Sequence, residues 1–223
     1  MYHIRELTGN ISNKQREEIL ELVGNNAENI STFVVQRGTP FYEYVRVREI
    51  TRAGMFLDFL KEVDPKKTYL IVAEDSGKII GYLLYNRDAT CRDDVSLCST
   101  VVSDNYRNQG VFTQMIDLLK AKTKSISLSC FINKVSFYQK LGFKIDESFE
   151  TQVGMFYGTY SGDGRFLTIN DDELGSQSLV LAEMRKVMKS FGKSFQKELD
   201  SFLVENAREK ENVKKFIEHY KES

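Results

Sequence analysis

The spacing of hydrophobic and polar positions changes several times along the 223-residue chain, and each spacing predicts an element. A short strand is predicted at 2–7. Two stretches, 12–23 and 50–63, then place apolar side chains at three- and four-residue intervals, as in amphipathic helices. Residues 25–48, rich in aromatic side chains, follow no clear period. Two apolar runs then flank the turn Asp75-Ser76-Gly77-Lys78, which predicts a β-hairpin.

Strands and helices alternate through the next part of the chain. The predicted strands are 95–102, 125–132, 143–149 and 153–157, and the predicted helices are 110–122 and 135–141. The second helix stops at Gly142, because glycine readily adopts the left-handed conformation that closes a helix. The order β-α-α-β-β-β-α-β-α-β-β predicts an α/β (α+β) fold with a mixed sheet flanked by helices.

The pattern changes again after the turn Gly162-Asp163-Gly164. Apolar residues recur at helical spacing from Leu181 to Tyr220, which predicts one or two long amphipathic helices with Gly192 as a break. This segment, 161–223, is interpreted as a C-terminal helical extension of a domain spanning 1–160. Its apolar stripe packs either on the body or, as the alternative, on a partner in a homodimer.

Composition excludes several classes of function. Lys and Arg total 31 against 32 Asp and Glu, so no global positive field favours nucleic acid. Three cysteines, an odd and sparse set, favour a reducing compartment and a cytoplasmic protein. Two histidines and no Cys-x-x-Cys spacing argue against a metal site. No apolar segment is long enough to cross a membrane, and the mixed charges of the tail disfavour binding to one.

The most informative segment is the run from strand 95–102 through Arg107-x-x-Gly110 into a helix. The first amides of a helix have no intrahelical partner and point outward at the positive end of the helix dipole. Gly110 lets a ligand approach the backbone closely, and Arg107 adds a cation. The segment therefore suits a phosphorylated cofactor, although the motif alone also fits an ordinary strand-to-helix turn.

Three motifs in this order resemble the GCN5-related N-acetyltransferase (GNAT) superfamily. The hairpin 73–82 is similar to its second and third strands, and the run 102–110 is similar to its acyl-coenzyme A pyrophosphate loop. The run Phe137-Tyr-Gln-Lys-Leu-Gly-Phe143 is similar to its fourth helix and the following turn. The resemblance implies a mostly antiparallel central sheet flanked by helices.

The resemblance also implies a binding mode for acetyl-CoA. Backbone amides of the loop would bind the diphosphate, and the strand before it would pair with the pantetheine arm, as an added strand does. The implied cofactor-binding residues are Val101, Val102, Arg107, Asn108, Gln109, Gly110, Val111, Phe112 and Asn133. Phe112 replaces a small residue of the family motif and is expected to point into the core. Phe131 replaces the family's asparagine; Asn133, two positions later, takes over the pantetheine contact or, as we favour, caps the short helix.

By the same resemblance, the chain is an N-acetyltransferase in which acetyl-CoA donates to a primary amine of a small molecule or a protein and Tyr138 is the general acid. The base is open, because the strand 95–101 carries no carboxylate. Asp93 and Asp94 are interpreted as a solvated pair, and a water relayed through Ser99 or Thr100 is one alternative. The alternative function is a non-catalytic acyl-CoA-binding module whose helical tail mediates dimerisation or partner binding.

Overall fold

The computed structural model describes residues 1–222, which form a seven-stranded sheet in the order β1-β2-β3-β4-β5-β7-β6. The strands are β1 (His3–Leu7), β2 (Thr68–Asp75), β3 (Lys78–Arg87), β4 (Asp94–Val102), β5 (Ser125–Cys130), β6 (Lys144–Phe149) and β7 (Gln152–Gly158). β4 and β5 pair in parallel, whereas the other neighbouring strands pair antiparallel. The predicted mixed, mostly antiparallel sheet flanked by helices is confirmed.

The helices are α1 (Asn13–Gly24), α2 (Ala27–Ile30), α3 (Tyr42–Asp58), α4 (Val111–Lys120), α5 (Val135–Lys140), α6 (Asp171–Gly175), α7 (Ser178–Phe191) and α8 (Phe195–Glu222). Successive β2 side chains serve two separate cores, because a strand alternates its faces. One core packs beneath α4 and α5, and the other beneath α1 and α3. None of the helices in residues 1–222 has the combined length and hydropathy that a membrane span requires.

The pairing of β4 with β5 is short. It joins Asp94, Val95 and Ser96 to Ser125, Ile126 and Ser127, and the two strands then part. β4 also bulges at Cys98, because its register with β3 shifts between Ser99 and Leu97. Parallel strands that separate in the middle of a sheet leave backbone groups without a neighbouring strand. The gap between them opens a cleft that reaches the first turn of α4.

The apolar stripe of the C-terminal extension packs on the body, as the first of the two interpretations predicts. Its fully or nearly fully buried apolar residues are Leu174, Val180, Val187, Val213 and Ile217. The end of α8 joins the core beneath α4 and α5, and Phe202 stacks on Phe41 with ring centroids 4.7 Å apart. The predicted break at Gly192 is confirmed, since α7 ends there with a backbone φ of +52°.

Two expectations are wrong. The helix predicted at 50–63 in fact begins at Tyr42 and ends at Asp58. Its start was not predicted, because buried charged residues stand among the apolar ones in its first two turns. Arg48 and Glu49 are both buried there. Asp94, expected to be solvated, is also buried: it accepts hydrogen bonds from the Ser125 hydroxyl and from backbone amides at 161–162.

Candidate active site

The cleft between β4 and β5 has a volume of about 630 Å³. β4 supplies one wall through residues 97–102, and β5 with the start of α5 supplies the other. The first turn of α4 closes one end of the cleft. Asn26, Asn29 and Ile30, at the α1–α2 corner and on α2, border it as well.

Donors converge where β4 leads into α4. Asn108 and Gly110 both adopt the left-handed conformation, with φ of +60° and +79°, which turns successive amides outward. The amides from Asn108 to Thr113 find no hydrogen-bond acceptor in the part of the chain that the structure describes. Unsatisfied amides at the positive end of a helix form an anion-binding site.

Distant elements hold this loop in place. The Tyr2 hydroxyl donates to the Gln109 carbonyl at 3.0 Å and accepts from the Gln114 side-chain amide at 2.7 Å. The Tyr106 hydroxyl donates to the Asp75 carboxylate at 2.8 Å. The first strand and the hairpin turn therefore fix the backbone that carries the free amides.

The Arg107 side chain folds back on the protein. Its guanidinium donates to the Val102 carbonyl and to the Asn26 side-chain oxygen, and it forms an ion pair with Asp104 at 2.8 Å. Arg107 thus ties β4 to the corner after α1, and Asp104 partly compensates its charge. The anion site consequently depends on the amides more than on this cation.

Tyr138 is enclosed by aromatic rings. Phe112, Phe137 and Phe143 lie with ring centroids 5.2–5.8 Å from it, all near edge-to-face. Burial raises the pKa of its phenol, and the nearby Cys130 raises this pKa further. The hydroxyl therefore stays protonated at neutral pH and can act only as a proton donor there.

Comparison with known proteins decides the type of domain. Residues 66–145 match the family model described as an acetyltransferase (GNAT) domain. This segment is a GNAT domain. The resemblance of the three motifs is thereby confirmed, while no curated protein matches the chain.

Two solved structures share the fold of the GNAT domain and its surroundings. PaiA N-acetyltransferase from Thermoplasma acidophilum, in complex with coenzyme A, is 14% identical, with a TM-score of 0.53 over 71% of this chain and 99% of that one. An acyl-CoA N-acyltransferase from Pseudomonas aeruginosa is 19% identical, with a TM-score of 0.51 over 71% of this chain and 100% of that one. At such identities the likeness shows the fold.

The GNAT domain brings nine of the ten residues singled out in the sequence to the cleft. They are Val101, Val102, Arg107, Asn108, Gly110, Val111, Phe112, Asn133 and Tyr138. Gln109 does not line the cleft, because its side chain turns away to donate to the Asn105 carbonyl at 2.8 Å. Only its backbone amide remains available to a ligand.

Two side chains of the GNAT domain behave differently from expectation. Phe112 packs against the core but also lines the cleft beside Tyr138, so its ring is not confined to the interior. Asn133 is exposed within a short 3-10 turn and caps neither that turn nor α5 through its side chain, so the preferred capping role is wrong. The side chain stays free to contact a ligand in the cleft.

Several lining residues gave no local signal in the sequence. Gln152 and Ser129 face each other across β7 and β5, and the Ser129 hydroxyl donates to the Gln152 side-chain oxygen at 2.5 Å. Lys134 adds a second cation to the lining, on the wall opposite β4. No group of three or more His, Cys, Asp or Glu within residues 1–222 is arranged to hold a metal ion.

Cys98 lies at the β4 bulge and lines the cleft. Burial raises the pKa of its thiol to about 12, against a smaller opposing effect of Arg52. A thiol with this pKa is protonated at neutral pH and is a poor nucleophile.

Proposed function

We propose that the chain is an N-acetyltransferase that transfers the acetyl group of acetyl-CoA to a primary amine of a small molecule or a protein by direct attack, with Tyr138 as general acid. One observation supports this most: the gap between β4 and β5 joins six free amides at one end to a protonated phenol inside the same cleft. The coenzyme A complex of the Thermoplasma structure is consistent with this use of the fold.

The diphosphate of acetyl-CoA would bind the amides from Asn108 to Phe112. The Arg107 amide, expected from the sequence to belong to this set, already donates to the Asp104 carbonyl at 3.2 Å. The free amides are already oriented, so binding requires little ordering of the loop. The pantetheine arm would run along Val101 and Val102 on the edge of β4 that β5 leaves open. Asn133 would contact the arm from the opposite wall.

The reaction then needs the amine, the thioester and the Tyr138 hydroxyl in one place. The neutral amine nitrogen attacks the thioester carbonyl, the carbon–sulfur bond breaks, and the sulfur leaves as a thiolate. The nitrogen, positively charged after the attack, loses one proton to solvent and becomes the amide nitrogen. Tyr138 donates its phenolic proton to that sulfur and is reprotonated from solvent. A thiol pKa near ~8.5 lies below that of the phenol, so the transfer relies on the developing charge on sulfur and on the short path inside the cleft.

We include in this proposal the division of the chain into a catalytic domain, 1–160, and a C-terminal helical extension, 161–223. A screen of primary amines with acetyl-CoA, read by release of free thiol, tests the activity. Thiol release with at least one amine supports the enzyme. Binding of acetyl-CoA without turnover by any amine supports the alternative, a non-catalytic acyl-CoA-binding module.

Tyr138→Phe tests the general acid. We expect kcat to fall by about 10²-fold, since general acid catalysis typically contributes this much, while the Kd for acetyl-CoA changes less than about twofold. Tyr157→Phe is the matched control, because Tyr157 also packs on Phe143 but does not line the cleft. Unchanged turnover in Tyr138→Phe would remove this residue from the mechanism.

A further inference from the structure

A buried carboxylate lies on α3, outside the cleft lining. The side chain of Glu49 is 3% exposed and forms an ion pair with Arg52 through one oxygen. Its second oxygen, Oε1, is buried and has no hydrogen-bond partner among residues 1–222. Buried charged oxygens are normally hydrogen-bonded, so an unpartnered one needs a reason.

The helix directs Glu49 towards the sheet. Ala53, one turn later on the same face of α3, and Phe56 pack in the core that also contains Tyr82 and Val101. Residues four positions apart lie above one another on a helix, so Glu49 continues this buried stripe towards the amino-terminal end of α3. The stripe therefore carries a carboxylate over the face of β3 and β4 behind the cleft.

Two hydroxyl groups connect this face to the cleft. Tyr82 is fully buried, and its hydroxyl lies 2.8 Å from the hydroxyl of Ser99, which lines the cleft. Either oxygen can donate in this pair. Burial raises the pKa of Tyr82, the charge of Glu49 raises it further, and the Ser99 hydrogen bond and Arg52 oppose the rise. Tyr82 thus contacts the cleft lining through Ser99, and its hydroxyl lies within the electrostatic influence of Glu49 and Arg52.

The acceptor amine needs a connection from the cleft to a group that can accept a proton. Most primary amines are protonated at neutral pH, and only the neutral form can attack a thioester. The charged side chains that line the cleft, Arg107 and Lys134, are both cations and cannot take this proton. A carboxylate placed behind the Ser99–Tyr82 hydroxyl pair can accept the proton.

We propose that the proton of the acceptor ammonium leaves through Ser99 and Tyr82 to Glu49. The ammonium N–H bond breaks and its proton binds the Ser99 oxygen, while the Ser99 proton moves to the Tyr82 oxygen. The Tyr82 proton passes through one water to Glu49 Oε1. Both hydroxyls end neutral, Glu49 ends protonated, and the amine keeps the electron pair with which it attacks.

In this proposal Ser99 touches the amine, and Glu49, which acts through Ser99 and Tyr82, is the final acceptor of the proton. The inference rests on the proposed function, since it concerns the acceptor of that reaction. It makes α3 a source of catalytic machinery that β4, with its run of uncharged residues from 95 to 101, does not provide.

The test compares two glutamates on the same helix. Glu49→Gln and Glu43→Gln each remove a carboxylate paired with an arginine three residues later, but the Glu43–Arg46 pair is solvent-exposed. At pH 7 we expect Glu49→Gln to lower kcat/KM for the amine about 10²-fold, a typical contribution of a general base. The deficit should shrink as the pH approaches the pKa of the amine. Glu43→Gln should match the wild type.

Tyr82→Phe provides an independent measurement if Glu49→Gln fails to fold, as judged by circular dichroism. It breaks the same path and should produce the same pH-dependent deficit, with an unchanged Kd for acetyl-CoA. A wild-type protein that releases no thiol with any amine overturns the proposed function and this inference together. If the wild type is active and Glu49→Gln has the same pH profile of kcat/KM, the inference alone is overturned. Where Glu49→Gln does not fold, the same result for Tyr82→Phe overturns it.

Discussion

At the scale of single residues, the anion site depends on backbone conformation more than on side-chain charge. Gly110 has a φ of +79°, a region that residues with a Cβ rarely adopt. A Cβ there would meet only the end of Gln114, at 3.8 Å, so the cost of a substitution comes from the backbone and from the space in front of the amides. Sequence alone predicted the glycine but assigned Arg107 a phosphate contact, whereas its guanidinium binds Asn26 and Asp104.

Gly110→Ala should therefore destabilise the protein by about 1–2 kcal/mol, because a left-handed residue with a Cβ is strained. It should also raise the Kd for acetyl-CoA about tenfold, as the loop relaxes and the methyl group crowds the diphosphate. Gly9→Ala is the control: Gly9 has a φ of +84°, open space around its Cβ position, and no place in the cleft lining. Urea unfolding and calorimetry measure the two effects, and equal acetyl-CoA affinities in both variants would contradict the binding mode.

At the scale of elements, hydrogen bonds from two separate parts of the fold hold the wall of the cleft around α2 in place. The start of β7 binds it through the Gln152 side chain, which donates to the Ser31 carbonyl at 3.0 Å. Thr151, in the turn before β7, donates to the Thr32 carbonyl. α8 binds it through Asn206, whose side-chain oxygen accepts from the Val34 amide at 2.8 Å. The C-terminal extension thus contributes to the shape of the cleft without lining it.

Asn206→Ala should lower the free energy of unfolding by about 1–3 kcal/mol, because it leaves the partly buried Val34 amide without an acceptor. Asn212→Ala, on the exposed side of the same helix, should change this free energy by less than about 0.5 kcal/mol. Urea denaturation of both variants measures the difference. Equal stabilities would mean that α8 does not hold this wall.

At the scale of the whole molecule, the body and the extension share one folded unit. Two buried aspartates join them: Asp88 accepts the Arg165 amide at 2.8 Å, and Asp94 accepts the amides of Ser161 and Gly162. Burial alone would raise the pKa of Asp88, but its hydrogen bonds from Thr90, Cys91 and Arg165 lower it to about 2. The connection between body and extension is therefore sensitive to acid.

Stability should fall as the pH decreases from about 4 to about 2. A carboxyl whose pKa is depressed in the folded state stabilises the protein above its unfolded pKa of ~3.9 and loses this contribution as the pH falls through its folded value. Asp88→Asn should weaken the pH dependence of the Tm across this window. Asp163→Asn, an exposed change two residues before the Arg165 that Asp88 binds, should not. Parallel Tm curves for the wild type and Asp88→Asn would exclude Asp88 as the sensitive group.

Removing the extension after Ser161 should abolish stable folding. Each of its five buried apolar side chains contributes about 1.5–3 kcal/mol, so their sum is comparable to the entire stability of a typical domain, about 5–15 kcal/mol. The truncated protein should be insoluble or lack a cooperative thermal transition in circular dichroism. A folded, soluble truncation would show that the extension is dispensable for the core.

Most local elements, the GNAT motifs and the loop that precedes α4 can be predicted from the sequence. These depend on periodicity, on turn residues and on short runs, which act between neighbours in the chain. The start of α3 was missed because its buried Arg48 and Glu49 interrupt the apolar period. The distant residues that line the cleft follow from the fold: Asn26 and Gln152 reach it through helix packing and strand pairing. Contacts between residues far apart in the chain leave no pattern in the sequence near either partner.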